Sequence, residues 1–187
     1  MDKKEILETL DRVFPDSPPL RADEITSHFC EECEAIREAL AGKKAKDYIR
    51  QPYELMGYFN REPKLILSRG CFALLTPRAF VYFLPVFLSA MIIDPREADV
   101  MLDSMPSQFD PGPTNGNFAK VWNHVEQKAR EALSLLTPAQ REAVAEALEQ
   151  FVPSEISTIL PTYSDAVANL RSGEPTAWRK HETERSA

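Results

Sequence analysis

Apolar residues recur along most of the chain at intervals of three and four positions, which is the spacing of one face of an α-helix. Ile6, Leu10 and Phe14 follow this spacing near the start of the chain. Further along, Phe29, Cys33, Ile36 and Leu40 are predicted to form the buried face of a second helix. No stretch alternates with a period of two, and the chain has only 6 glycines. The pattern therefore predicts an all-α protein.

One segment, "AFVYFLPVFLSAMII" from Ala79 to Ile93, is almost wholly apolar. As a helix it would extend roughly 22 Å, which is short of the ~30 Å hydrocarbon core of a membrane. We therefore expect a buried central helix over about 77–93, kinked at Pro85. Its predicted core residues are Phe80, Phe83, Leu84, Phe87, Leu88 and Ile92.

Capping signals define several helix ends. Thr76 and Thr137 are each followed by proline, and threonine as N-cap before proline is a strong helix start. Asp2 and Glu5 have the spacing of a capping box. Gly42 is placed to end the helix that contains Cys33.

Length and composition indicate a single globular domain. The chain has 187 residues, of which 43% are hydrophobic and 27% charged, which is ordinary for a folded protein. We expect an irregular bundle of six to eight helices packed around the central helix. This domain would cover residues 1–172, and residues 173–187 would form a polar C-terminal tail.

The charge balance limits the classes of partner. Lys and Arg number 22 and Asp and Glu number 29, so the formal net charge is 22 − 29 = −7. An acidic chain without a Lys/Arg cluster is poorly suited to nucleic acid or an anionic membrane, but it can dock on a basic protein. The start "MDKKEILETL" lacks the apolar stretch of a signal peptide, so we expect a cytoplasmic protein.

The stretch "SHFCEECEAI", from Ser27 to Ile36, offers candidate ligands for a metal. His28, Cys30 and Cys33 could bind zinc, with a fourth ligand from Cys71, His124 or an acid. A reactive thiol pair is disfavoured, because such a pair needs neighbouring cations and these thiols are surrounded in the sequence by Glu31, Glu32 and Glu34. We expect both cysteines to be reduced, structural and without metal or cofactor, and the zinc site is the alternative.

Catalytic motifs are missing from the sequence. There is no G-x-S-x-G motif, and no glycine loop is followed by Lys-Ser/Thr. The only histidines are His28, His124 and His181. We therefore expect no catalytic residues and favour a protein that is not an enzyme.

A row of glutamates is the candidate partner-binding face. Glu142, Glu146 and Glu149 are spaced by four and three residues on the helix that follows Thr137. They lie opposite its predicted core residues, Val144, Leu148 and Phe151, so we expect them to be exposed together. Such a face could steer association with a basic surface.

Three blocks, "CEECEAIREALAGKK", "LTPRAFVYFLP" and "LTPAQREAVAEALEQF", resemble an uncharacterised bacterial family of small all-helical proteins, one of the domains of unknown function. The resemblance covers about residues 12–152. It implies an all-α fold and a bacterial origin, but no reaction and no catalytic residues. The favoured function is a non-catalytic protein–protein interaction module, such as an immunity-type inhibitor or an adaptor. The alternative is a small zinc-binding protein or metalloenzyme using His28, Cys30 and Cys33.

Overall fold

The computed structural model describes residues 2–57, 71–110, 119–152 and 162–175. Within these ranges the protein is mostly helical and has no strands, apart from a single isolated bridge between Thr26 and Leu75, so the all-α prediction is confirmed. Seven of the α-helices in these ranges have six residues or more, as expected for a bundle of six to eight helices. The α-helices are α1 (Lys3–Val13), α2 (Ala22–Ile25), α3 (Glu31–Leu40), α4 (Pro52–Met56), α5 (Pro77–Ile93), α6 (Asp99–Ser104), α7 (Ala119–Leu135), α8 (Pro138–Glu149) and α9 (Tyr163–Ser172). Short 3₁₀ helices cover Ala45–Tyr48, Cys71–Leu74 and Pro106–Gln108.

The predicted caps are present. The Asp2 carboxylate accepts a hydrogen bond from the Glu5 backbone N–H at 2.8 Å, and the Glu5 carboxylate accepts one from the Asp2 N–H at 3.0 Å. Thr76 Oγ1 accepts from the N–H of Ala79, and Thr137 Oγ1 accepts from the third residue of α8. These bonds satisfy N–H groups that have no partner inside the helix.

Two compact units make up the chain, Met1–Ser104 and Met105–Ala187. In the first unit, α5 is the central helix, and α1, α2, α4, α6 and the 3₁₀ helix Ala45–Tyr48 pack against it. Its six predicted core residues are between 0 and 3% exposed, which confirms their burial. The prediction of one domain over 1–172 with a tail over 173–187 stays a prediction, and residues 176–187 lie outside the described ranges.

The helix α5 runs from Pro77 to Ile93 without a break at Pro85, and the predicted kink stays a prediction.

Polar side chains inside the first unit form hydrogen bonds with carbonyl groups in α5 and at its C-terminal end. Ser89 is fully buried, and its hydroxyl donates to the Pro85 carbonyl at 2.6 Å. The Tyr53 hydroxyl lies 3.0 Å from the carbonyl oxygen of Ala90 and 2.9 Å from that of Asp94. Both carbonyls also accept backbone hydrogen bonds, Ala90 from the Asp94 N–H and Asp94 from the Ala98 N–H, so Tyr53 adds a second donor at the C-terminal end of α5.

The second unit contains α7, α8 and α9, and α8 packs closely against α9. Val144 and Leu148 on α8 and Leu170 on α9 are fully buried. Asn169 on α9 is also buried, and its Nδ2 donates to the Phe109 carbonyl at 3.0 Å. This hydrogen bond joins α9 to the turn that follows the 3₁₀ helix Pro106–Gln108.

The Pro-rich stretch at residues 15–20 forms no helix, and the short helix α2 follows it. Residues 95–98 form turns, and α6 begins after them at Asp99. No helix in the described ranges is both long enough and apolar enough to cross a membrane.

Candidate functional site

The start of α3 is built around Cys30. This residue has extended backbone angles, φ −142° and ψ 164°, and it is the N-cap of the helix. Its Sγ accepts a hydrogen bond from the Cys33 backbone N–H at 3.3 Å. A thiol therefore occupies the position usually taken by the side-chain oxygen of Ser, Thr, Asp or Asn.

Arg37 holds the segment that precedes the cap. Its Nη1 donates to the His28 carbonyl at 2.9 Å and to Thr26 Oγ1. Its guanidinium carbon lies 5.6 Å from the centroid of the Phe29 ring, within the range of a cation–π interaction. One side chain on α3 thus contacts three residues between α2 and α3.

Phe29 corrects the sequence-based prediction. It was expected on the buried face of α3, but its exposed fraction is 95%. The helix begins at Glu31, after Phe29, so the helical spacing does not extend back to the aromatic side chain. The buried stripe begins at Cys33 and continues with Ile36 and Leu40, which are at most 1% exposed.

The two thiols of this segment lie close together. Cys30 Sγ is 2.9 Å from Cys33 Sγ, and both cysteines are free. Cys33 is buried, whereas Cys30 is partly exposed. Burial raises the pKa of the Cys33 thiol, the neighbouring Cys30 raises this pKa further, and a hydrogen bond with Thr26 opposes the change.

The described residues do not supply a ligand set for the zinc alternative. His28 is exposed, and no group of three His, Cys, Asp or Glu side chains within those residues could hold a metal ion. His124, a proposed fourth ligand, is exposed on α7, while the side chain of Cys71 lies outside the described part of the chain. The prediction of reduced, metal-free cysteines stays a prediction.

The exposed side of α3 is strongly acidic. Glu31, Glu32, Glu34 and Glu38 are all exposed. The ion pairs found in the described ranges include none of these four carboxylates. We refer to Phe29, two residues before α3, together with these four exposed glutamates of α3 as the Phe29 surface.

The glutamates expected to bind a partner on α8 have a different environment. Arg171 on α9 donates from Nη1 to Glu149 at 2.6 Å, and from Nε and Nη2 to Glu142 at 3.1 and 3.0 Å. Hydrogen bonds, first with Glu149 and then with Glu142, raise the pKa of Arg171. Glu142 and Glu149 are exposed and Glu146 is half-buried. Their role in partner binding stays a prediction, and Arg171 balances part of their charge.

Comparisons with known proteins identify no relative. A scan against protein-family models finds no family that matches this chain, and searches of curated proteins and solved structures find no match. The resemblance to an uncharacterised bacterial all-helical family stays a prediction.

Proposed function

We propose that this protein is a non-catalytic interaction module of the cytoplasm that binds a basic protein through the Phe29 surface. The observation that carries the proposal is the 95% exposure of Phe29 beside the Arg37 guanidinium. An immunity-type inhibitor or an adaptor would act in this way, because each works by occupying a surface of another protein.

Phe29 has the properties of an interface anchor. Aromatic side chains are enriched at protein–protein interfaces and can bury 150–250 Å² each. Arg37 contacts the Phe29 ring and also bonds to the backbone of His28. Because these contacts restrict the ring before binding, less conformational entropy is lost when a partner covers it.

The charge of the Phe29 surface indicates a basic partner. Four exposed glutamates lie on the helix that begins two residues after Phe29, and the whole chain has a formal charge of −7. Such a surface attracts a positively charged protein and increases the association rate at low salt. The α8 glutamates suit this role less well, since Arg171 already binds two of them.

Site-specific photocrosslinking in the native host tests this proposal. A photoreactive phenylalanine analogue is introduced at position 29, and the matched control carries it at Leu135, an exposed apolar residue of α7 that is 49% exposed. We expect one protein with a basic surface to crosslink at position 29 and not at position 135. No crosslink at position 29, or the same set of products at both positions, would contradict the proposal.

A further inference from the structure

We propose that Cys30 and Cys33 form a thiol–disulfide exchange pair that closes reversibly into an intramolecular disulfide. The co-reactant would be a low-molecular-weight disulfide of the glutathione class. This proposal concerns the chemistry of the two thiols and does not depend on the proposed binding of a protein partner.

The geometry of the pair is the first support. Cys30 is the N-cap and Cys33 is in the first turn of the same helix. Their sulfur atoms are 2.9 Å apart, and an S–S bond is about 2.05 Å long, so closure requires an approach of about 0.9 Å. From the sequence, a reactive thiol pair was disfavoured and two structural thiols were expected, and the short distance between the sulfur atoms is the observation that changes this assignment.

The difference in exposure assigns the two roles. Cys30 is partly exposed, so a small disulfide can reach its sulfur from solvent. It is also the N-cap of α3, so its side chain lies outside the helical turns. Cys33 is fully buried, with its sulfur beside that of Cys30. Cys30 is therefore the attacking thiol and Cys33 the resolving thiol.

The exchange proceeds in two balanced steps. The Cys30 thiolate attacks one sulfur of the small disulfide, forming a mixed disulfide at Cys30 and releasing one small thiolate. The Cys33 thiol then loses its proton, and its thiolate attacks Cys30 Sγ. This step forms the Cys30–Cys33 bond and releases the second small thiolate. The two small thiolates take up the two protons lost by the protein, so one small disulfide is reduced as the protein dithiol is oxidised.

Thiol counting across a series of glutathione redox buffers tests the proposal. Each sample is quenched with acid and unfolded before alkylation, so that the buried Cys33 is also counted, and the peptides are mapped by mass spectrometry. The chain has 3 cysteines, so oxidation should reduce its free thiols from three to one, with loss of both thiols at a single midpoint. Addition of excess reduced glutathione should restore all three.

Three variants separate the roles. Cys71→Ser is the matched control, and its free thiols should fall from two to none at the wild-type midpoint. Cys33→Ser should accumulate the mixed disulfide at Cys30, whereas Cys30→Ser should leave Cys33 unmodified. If a variant does not fold, peptide mapping of the wild-type protein decides the question.

Two results would overturn the proposal. The first is that Cys30 and Cys33 stay alkylatable in the most oxidising buffer in which circular dichroism shows a folded protein. The second is that oxidation pairs either of them with Cys71, or with a second copy of the chain.

Discussion

Phe83 is fully buried in α5, and its ring lies 4.8 Å from that of Tyr82. Truncation of a buried phenylalanine removes its transfer free energy and leaves a cavity. Phe83→Ala should therefore lower the free energy of unfolding by about 3–5 kcal/mol. Urea denaturation measures this change, and Leu135→Ala on the exposed side of α7 is the control. A loss below about 1 kcal/mol would mean that the side chain is not packed in a core.

Cys33 makes the stability depend on pH. Because its pKa is raised in the folded state, the neutral thiol stabilises the fold fully below the unfolded-state pKa of about 8.5. This contribution is lost as pH rises through the higher folded-state pKa. The difference in unfolding free energy between wild type and Cys33→Ala, measured under reducing conditions, should narrow above pH of about 8.5. If the difference in unfolding free energy is constant or grows with pH, the pKa of Cys33 is not raised in the folded state.

At the residue scale, the sequence predicts burial well where a whole segment is apolar. Phe83 and Phe87 were assigned to the core because α5 is apolar on nearly every side, so the exact helix phase does not matter. Phe29 was misplaced because it lies two residues before α3 starts. Helical spacing describes side-chain directions only inside a helix, and nothing in the sequence marked Cys30 as the cap.

Thr76 fixes the start of α5. Its hydroxyl accepts from the Ala79 N–H at 3.1 Å and donates to the Glu24 carbonyl at 2.7 Å, so it also joins α5 to α2. Thr76→Ala should lower the melting temperature and cost about 1–2 kcal/mol of stability. Thr76→Ser retains the hydroxyl and should therefore lose much less stability than Thr76→Ala. Equal losses in the two variants would show that the hydroxyl contributes little to this cap.

Arg171 joins α9 to α8 through Glu142 and Glu149. All three side chains are more than a third exposed, so solvent weakens these ion pairs. Arg171→Gln should cost about 1 kcal/mol at low salt, and the effect should shrink as salt increases. Glu146→Gln is the control. In double-mutant cycles with Glu142→Gln and Glu149→Gln, a coupling energy of zero in both would show that the ion pairs do not stabilise the packing.

Elements with local signals were predicted, and contacts between distant parts of the chain were not. The caps at Asp2, Thr76 and Thr137 follow from residues within the same helical turn. The ion pairs of Arg171 join positions 22 and 29 residues apart, and no local pattern indicates them. Because no local pattern indicates these ion pairs, the α8 glutamates were expected to be available to a partner.

For the whole molecule, the fold class follows from helical periodicity and few glycines, but the candidate site does not. The site depends on three outcomes of folding: the exposure of Phe29, the position of Arg37 over its ring and the contact between the two thiols. The sequence did identify the segment from Ser27 to Ile36 as the one that could contain a functional site. It could not decide between metal binding, redox chemistry and a structural role, because these differ in geometry and not in composition.

The affinity of the crosslinked partner for purified wild-type and variant proteins tests the central claim most directly. Phe29→Ala should weaken binding by about 30-fold, the loss of about 2 kcal/mol expected for an interface anchor. Leu135→Ala should bind like wild type, and circular dichroism should show that both variants remain folded. Binding of Phe29→Ala within about twofold of wild type would correspond to less than about 0.5 kcal/mol and would contradict the account.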